Sequence, residues 1–265
     1  MSHQAPEADA PALFQGERQH EIAALTVEHG RVEVSDLAER FGVTTETIRR
    51  DLSDLQKQRL VRRTHGGAVP WETPGFEPLV SVRSDQHDSE KHRMAEAAIR
   101  ELPDTGAIII DSGSTLTRFA EAIPNATTLR VVTNSLPIAL ALSDKEHVDI
   151  IVTGGKVRKN TLAMVDAEAI AAIKPLSVDT LFISSDAASI DMGLTTPYRE
   201  EAALKQAMIR SARRVVALVD HSKFASDQFI RFAKWSDIDV LITNTELAPA
   251  TVEQIRSSGT EVVTT

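Results

Sequence analysis

The sequence predicts a two-part α/β protein: an N-terminal winged helix-turn-helix followed by a larger doubly wound α/β domain. Three observations carry that reading. Residues 34–69 hold two helical patterns joined at a glycine, then a strand, a glycine turn and a return strand. From Gly106 onward, short apolar runs alternate with helical stretches, the pattern of buried parallel strands with crossover helices. The length, 265 residues, corresponds to roughly two domains of ~150 residues each.

Composition narrows the function classes. With no cysteine, disulfides, thiolate metal sites and a structural zinc in the N-terminal module are excluded. The opening MSHQAPEADAPALF has neither a basic n-region nor an apolar core, and no apolar run approaches the ~20 residues of a membrane span, so a soluble cytoplasmic protein is expected, with no membrane partner. Net charge is -9, and residues 71–265 carry 20 Lys/Arg against 27 Asp/Glu. That acidity would repel nucleic acid except where the charge is locally reversed.

In order along the chain, residues 1–13 are rich in Ala, Pro and acid and read as a disordered tail. Residues 14–70 read as the DNA-binding domain. Glu17–His29 forms a helix with Ile22 and Leu25 inward, followed by Gly30 and a short strand over Arg31–Val34. Ser35 is the expected N-cap of the next helix, whose inward side is Leu37, Ala38 and Phe41, and Gly42 ends it in a left-handed conformation. The following helix spans about Thr44 to Gln58. Ile48, Leu52 and Leu55 share one face; Glu46, Arg50, Ser53 and Lys57 lie opposite, with Thr47 and Arg49 on the shoulders. A second helix with a polar, cationic outer face suits a major groove. Between Arg49 and His65, six Lys/Arg oppose Asp51 and Asp54, a local charge of +4, and it is the local sign that governs phosphate neutralisation. The DNA-binding candidates are Thr44, Thr45, Glu46, Thr47, Arg49, Arg50 and Ser53 on the helix, with Arg62, Arg63 and His65 on the wing.

Prolines at 70, 74 and 78 mark a linker over 71–89, overlapped by a helical pattern from Ser84 to Leu102 with Met94, Ala95, Ala98, Ile99 and Leu102 on one face. Residues 90–265 form the larger domain, read as binding an effector and mediating oligomerisation. Its strand–helix pairs are AIIID and TLTRFAEAI, LRVVT and LPIALAL, VDIIVTGG and AMVDAEAIAAI, DTLFISS and EEAALKQAMIRSA, then RRVVALVD, DVLITN and a last helix near Pro249–Ser257.

Open α/β sheets bind ligands beyond the carboxyl ends of their strands, and polar residues collect there. Asp111, Ser112, Gly113, Ser114 and Thr115 follow the first strand and precede a helix, which fits either an anion cradle or an ordinary capped turn; a Walker motif is absent. Other strand ends supply Thr133, Asn134 and Ser135; Thr153, Gly154, Gly155, Lys156 and Arg158; and Asp220, Ser222 and Lys223. The histidines at 65, 92, 147 and 221 lack metal-ligand spacing, Trp71 and Trp235 read as packing residues, and no metal or cofactor is assigned.

At Asp36–Leu52 and Arg62–Ala68, the run DLAERFGVTTETIRRDL closed by RRTHGGA resembles the DeoR family of bacterial transcriptional regulators. DSGST, VVTNS, TGGKVR, GLTT (Gly193–Thr196) and VDHSKF (Val219–Phe224) extend the resemblance over nearly the whole chain from Gln15. It implies a sensor domain like the sugar-phosphate isomerase fold of ribose-5-phosphate isomerase and glucosamine-6-phosphate deaminase. By the same resemblance, Ser112–Thr115 would hold phosphate, Asp111, Asn134 and Asp220 sugar hydroxyls, and Arg158 and Lys223 the remaining charge. The implied protein is a repressor of sugar uptake or catabolism genes. It would bind double-stranded operator DNA as a homodimer or homotetramer and be released by a phosphorylated sugar, a fructose phosphate among the candidates.

The alternative is an isomerase-like enzyme fused to a DNA-binding domain. Isomerases of this fold carry a compact acidic stretch where this chain has Ser184, Ser185, Asp186, Ala187 and Ala188, so one acid remains of the pair. Two further departures are Asp166, where glycine is common, and Asn244, where LITD is more usual than LITN. Asp166 would either oppose a bound phosphate or face solvent.

Overall fold

The computed structural model describes residues 14–58, 60–64, 66–70, 87–225 and 227–265. The chain divides into two compact units, Met1–Pro78 and Leu79–Thr265. The expected tail and most of the expected linker, as well as His65 and Trp71, lie outside the described residues.

The first unit is built on α1 (Gln15–His29), β1 (Val32–Glu33), α2 (Val34–Phe41), α3 (Thr45–Lys57), β2 (Val61–Thr64) and β3 (Gly67–Pro70). Apolar residues at helical spacing close its core: Ile22 and Leu25 from α1, Leu37 and Ala38 from α2, and Ile48, Leu52 and Leu55 from α3, over Val61 and Ala68 of the wing. β3 pairs with β2 on one side and β1 on the other, all antiparallel, so the wing is tied back to the chain between the first two helices. Gly42 ends α2 at φ 60, and Thr44 caps α3 by accepting from the Thr47 amide at 3.2 Å. Ser35 is not the N-cap of α2. Glu33 holds that position, held extended by its pairing with Gly67, and the Ser35 hydroxyl inside the helix donates to Asp36.

The second unit comprises α4 (Asp88–Ile99), β4 (Ala107–Ile110), α5 (Ser114–Ala122), β5 (Leu129–Thr133), α6 (Leu136–Leu142), β6 (Val148–Val152), β7 (Val157–Arg158), β8 (Ala163–Met164), α7 (Ala167–Ile173), β9 (Val178–Ile183), β10 (Ala187–Ser189), β11 (Gly193–Thr196), α8 (Arg199–Ser211), β12 (Ala212–Leu218), β13 (Ile230–Ala233), β14 (Val240–Thr243), α9 (Pro249–Ser257) and β15 (Glu261–Thr264). Seven strands form a parallel sheet in the order β15-β14-β12-β9-β4-β5-β6.

Strand alternation sorts the core onto two faces. Ile108, Ile110, Val131, Phe182, Val216 and Leu218 pack beneath α4, α5 and α6. Ile109, Val132, Leu181, Ile183, Val215 and Ala217 pack against α7, α8 and α9. Both faces are covered, which is why these strands read as continuous apolar runs. The chain moves outward from β4 through β6 and returns on the other side of β4 from β9 to β15, so the winding reverses between β4 and β9.

Three elements depart from the sequence reading. AMVDAEAIAAI is not one helix: Ala163–Met164 is a strand, and α7 begins after Asp166, whose carboxylate caps it. The final strand β15 and the small antiparallel sheet β10-β11-β13 were also missed; their three- and four-residue runs carry too little alternation to identify a strand.

Candidate functional site

On the first unit, α3 presents Thr44, Thr45, Glu46, Arg49 and Arg50 to solvent, with Thr47 and Ser53 half-buried, and Arg62 and Arg63 are exposed on the wing. A groove lined by Thr45, Arg49, Arg63, Thr64 and Gly66 runs between the start of α3 and the wing. The wing is clamped to the helix: the Arg63 guanidinium donates to the Ser53 hydroxyl at 2.8 Å, its amide donates to Gln56 at 2.9 Å, and Ser53 donates to the Arg49 carbonyl at 2.7 Å. Ser53 and Arg63 thus set the relation of wing to helix.

Asp51 does not oppose the basic patch as its position in the sequence implied. It is 1% exposed and accepts from Arg18 at 2.6 Å and Gln19 at 3.0 Å on α1. A buried carboxylate needs such a partner, and this one fixes α3 against α1. The other acid, Asp54, is paired with Lys57 at 3.0 Å.

In the second unit, the winding reversal lies at the carboxyl ends of β4 and β9. Asp111 and Ser112 follow β4 and are buried, and Gly113 stands at φ 135 before α5, a region in which a side chain would be strained. No side chain caps α5, so its first amides are not satisfied by a capping residue. The parallel register aligns Ile110, Thr133 and Val152 across β4, β5 and β6. It therefore brings the segments that begin at Asp111, Asn134 and Thr153 together at one end of the sheet. Asp111 Oδ1 and Asn134 Oδ1 are buried and have no hydrogen-bond partner among the described residues.

Sequence reasoning missed the residues behind this rim. Lys205, on α8, is buried, bonds Asp111, donates to the Ser184 carbonyl at 3.0 Å and lies 3.8 Å from Glu201. It thereby joins the two strand ends at the reversal. Burial works against its charge, but Asp111, Glu201 and Asp186 outweigh that cost and hold its pKa above the ordinary lysine value. Glu201 in turn accepts from Arg158 at 2.6 Å, and Arg158 lies 3.8 Å over the Tyr198 ring. Thr196 donates to Asp186 at 2.8 Å and sits 3.4 Å from Glu201. Glu201 on α8 thus brings a second carboxylate to the Thr196 hydroxyl shared with Asp186, while the Ser184–Ala188 stretch itself keeps its single acid. The signal was available: Glu201, Leu204, Lys205 and Met208 share the buried stripe of α8, and charges within an apolar stripe mark buried polar chemistry.

The remaining candidates divide. Thr133 and Ser135 are buried in local turn bonds: Thr133 Oγ1 accepts the Ser135 amide at 3.1 Å, and Ser135 caps α6. Gly154 and Gly155 stand in the loop after β6 at φ 74 and 103. Asp220 accepts the Ser222 amide at 3.0 Å and the Ser222 hydroxyl, so its carboxylate serves its own turn. Lys223 is half-buried in that turn; no described hydrogen bond joins Asp220 or Lys223 to the Asp111–Arg158 network.

Asp166 is the cap of α7. It accepts from the amides of Glu168, Ala169 and Lys156, and these, led by Ala169, hold its pKa below the ordinary value. Asn244, fully buried, accepts from the His221 amide at 2.7 Å and directs its amide at Glu246 Oε2 and His221 Nδ1, both at 2.7 Å. An aspartate there could not donate to Glu246. Trp235 is buried, donates to the Ser189 carbonyl at 2.9 Å and stacks with Phe224. Among the described residues, no His/Asp/Glu group could hold a metal ion and no helix is long and apolar enough to cross a membrane.

Comparison with known proteins agrees with both halves of this description. Residues 18–73 match the DeoR-like helix-turn-helix domain and residues 86–245 the DeoR C terminal sensor domain. The chain is 33% identical to the HTH-type transcriptional regulator GlpR of Haloferax volcanii, over 95% of this chain and 98% of that one. It is 32% identical to the glycerol-3-phosphate regulon repressor of Escherichia coli K12, over 92% and 96%. A ribose 5-phosphate isomerase A from Neisseria gonorrhoeae is similar at TM-score 0.36 and 17% identity, covering 51% of this chain and 53% of that one, a similarity too low to bear on function. With both domain models matched in order along the chain, the protein belongs to the DeoR family of transcriptional regulators.

Proposed function

We propose that this regulator is a cytoplasmic repressor of sugar uptake or catabolism genes, and that a phosphorylated sugar filling the strand-end pocket releases it from operator DNA. The observation that carries the effector half is the pair of buried, unpartnered acceptors Asp111 Oδ1 and Asn134 Oδ1 on neighbouring strand ends. An orphaned buried acceptor costs about 1–3 kcal/mol, and two sugar hydroxyls would satisfy both. The first amides of α5, with Ser112, Ser114 and Thr115, suit the phosphate, and Arg158 supplies a cation at the rim. Lys205 is already balanced by Asp111 and Glu201, so its part is to position Asp111.

On the DNA side, Thr44, Thr45, Glu46, Thr47, Arg49 and Arg50 would meet base edges and phosphates, with Arg62 and the wing on the backbone. His65 stays in the proposal from its place in the wing sequence. The effector acts as a ligand that binds the DNA-competent and DNA-incompetent states unequally.

The buried Asp111, Asp186, Glu201 and Lys205 also bear on the isomerase alternative. Glu201 is bonded by Arg158 and Asp186 accepts from Thr196, so both carboxylates are already engaged within the protein, and we assign sensing rather than turnover. The test is a thermal-shift screen with fructose phosphates, other sugar phosphates and glycerol 3-phosphate, repeated on Arg158→Ala, with a turnover assay on each compound that binds. A phosphorylated compound that raises the melting temperature of the parent more than that of the variant, without being converted, is the expected result. Stabilisation by none of them removes the effector assignment, and isomerisation of a bound sugar phosphate would reverse the choice between sensing and turnover.

A further inference from the structure

Among the described residues of the second unit, seven large apolar side chains are exposed, and six of them lie on three consecutive elements at one end of the seven-stranded sheet: Ile151 and Val152 on its terminal strand β6, Leu136 and Leu140 on α6, and Val157 and Leu162 in the β7–β8 hairpin. The seventh, Phe229, is elsewhere in the chain. Backbone bonds tie the six together. β6 is the terminal strand, and its Val152 pairs with Thr133, three residues before Leu136. Leu140 follows Leu136 by one helical turn on the same side of α6. The Leu136 amide donates to the Leu162 carbonyl at 3.1 Å, and Leu162 belongs to the β7–β8 hairpin that carries Val157. Leu162 stands at φ 55, a conformation a leucine rarely adopts.

Exposed sheet edges are ordinarily blunted by lysine, proline or a bulge. β6 has none of these: it pairs with β5 without a register shift, and its one charged residue, Asp149, is bonded by Arg130 of β5 at 2.8 Å. The edge is therefore apolar, regular and charge-balanced.

We propose that this edge is the surface on which two copies of the chain meet about a two-fold axis, β6 against β6 and antiparallel, flanked by α6 and the β7–β8 hairpin. A two-fold interface places one patch on itself, so the patch must be self-compatible. An apolar strand whose single carboxylate is already paired meets that condition. A second copy is also what the other unit requires, because helix-turn-helix readers bind paired half-sites; the choice of partner rests on that reading. The same hairpin serves the pocket. Val157 is exposed on it, while its neighbour Arg158, turned the other way by strand alternation, is bonded to Glu201. A ligand that draws on Arg158 thus acts one residue from the contact between copies.

Sedimentation of the full chain at micromolar concentration, without DNA or effector, tests this independently of both other assignments. The parent is expected to sediment as a dimer or an even multiple of it. A Leu140→Glu/Ile151→Glu variant is expected to halve that mass while its circular dichroism is unchanged, and Phe229→Glu to leave the mass alone. Because the chain has no cysteine, Ile151→Cys introduces a single thiol that should give a covalent dimer on mild oxidation, where Phe229→Cys should not. This second readout decides the case if the double variant fails to fold. A monomeric parent, a double variant that keeps the parent's mass, or cross-linking no better at Ile151→Cys than at Phe229→Cys would overturn the proposal.

Discussion

Lys205 on α8 and Asp111 at the end of β4 form a buried ion pair, 3% and 1% exposed, across the point where the winding of the sheet reverses. The pair connects the apolar framework to the strand ends proposed to hold the effector, because Lys205 also reaches Ser184 at the end of β9 and neighbours Glu201, which holds Arg158.

Breaking that pair from one side should be costly. Lys205→Met leaves Asp111 and Glu201 buried with less compensation, and such a loss costs about 3–5 kcal/mol. Lys205→Met combined with Asp111→Leu should recover much of it. Urea unfolding of the three proteins measures both; equal midpoints for the parent and Lys205→Met would show that the pair contributes nothing.

Arg158 should matter to the ligand more than to the fold. It sits at the rim, and Glu201 keeps Lys205 and Thr196 as neighbours without it. Loss of a charge-assisted hydrogen bond of about 1.5–3 kcal/mol corresponds to roughly 10- to 150-fold weaker binding in Arg158→Ala. Isothermal titration with the stabilising sugar phosphate measures it, with the melting temperature of the free protein as the control.

The two arginine positions of the reading head should separate. Arg50→Ala, on the outer face of α3, should cost about 1–3 kcal/mol and relax discrimination between operator sequences. Arg62→Ala, on the wing, should weaken binding to all sequences alike and flatten the salt dependence by about one unit of slope. Fluorescence anisotropy over a salt series distinguishes the two.

Asp166 predicts a pH dependence. Its pKa is depressed by the amides of Ala169, Lys156 and Glu168, so its folded value lies below its unfolded one. The stabilisation is therefore present above the ordinary carboxylate range and lost as pH falls through the depressed value. Asp166→Asn should melt lower than the parent at neutral pH, and the difference should close as the pH is taken below that range. A difference that persisted at low pH would mean that the charge plays no part in the cap.

How far the sequence could be read depended on how local each signal is. Ile48, Leu52 and Leu55 on one face and Gly42 at the turn specify the helix-turn-helix within some fifteen residues, and the Val61–Pro70 hairpin follows from its glycines. Continuous apolar runs such as Ala107–Ile110 announced buried parallel strands. Pairings between distant segments were not legible: Arg18 with Asp51, Lys205 with Asp111 and Arg158 with Glu201 each join elements that only the tertiary fold brings together. In sequence, Asp51 was one more acid beside a basic patch, and Glu201 and Lys205 were two charges on an amphipathic helix. Asp166 and Asn244 looked unusual for the opposite reason: a cap and a donor–acceptor bridge are defined by backbone groups that the sequence does not display.

The most direct test of the switch itself is anisotropy of an operator fragment, selected by the protein from random duplexes, as the stabilising sugar phosphate is added at fixed salt. The parent should be released over the range in which the ligand binds, and Arg158→Ala should hold the same DNA but require much more ligand to let go. DNA that stays bound while the pocket is saturated, or release that is indifferent to Arg158, would contradict it.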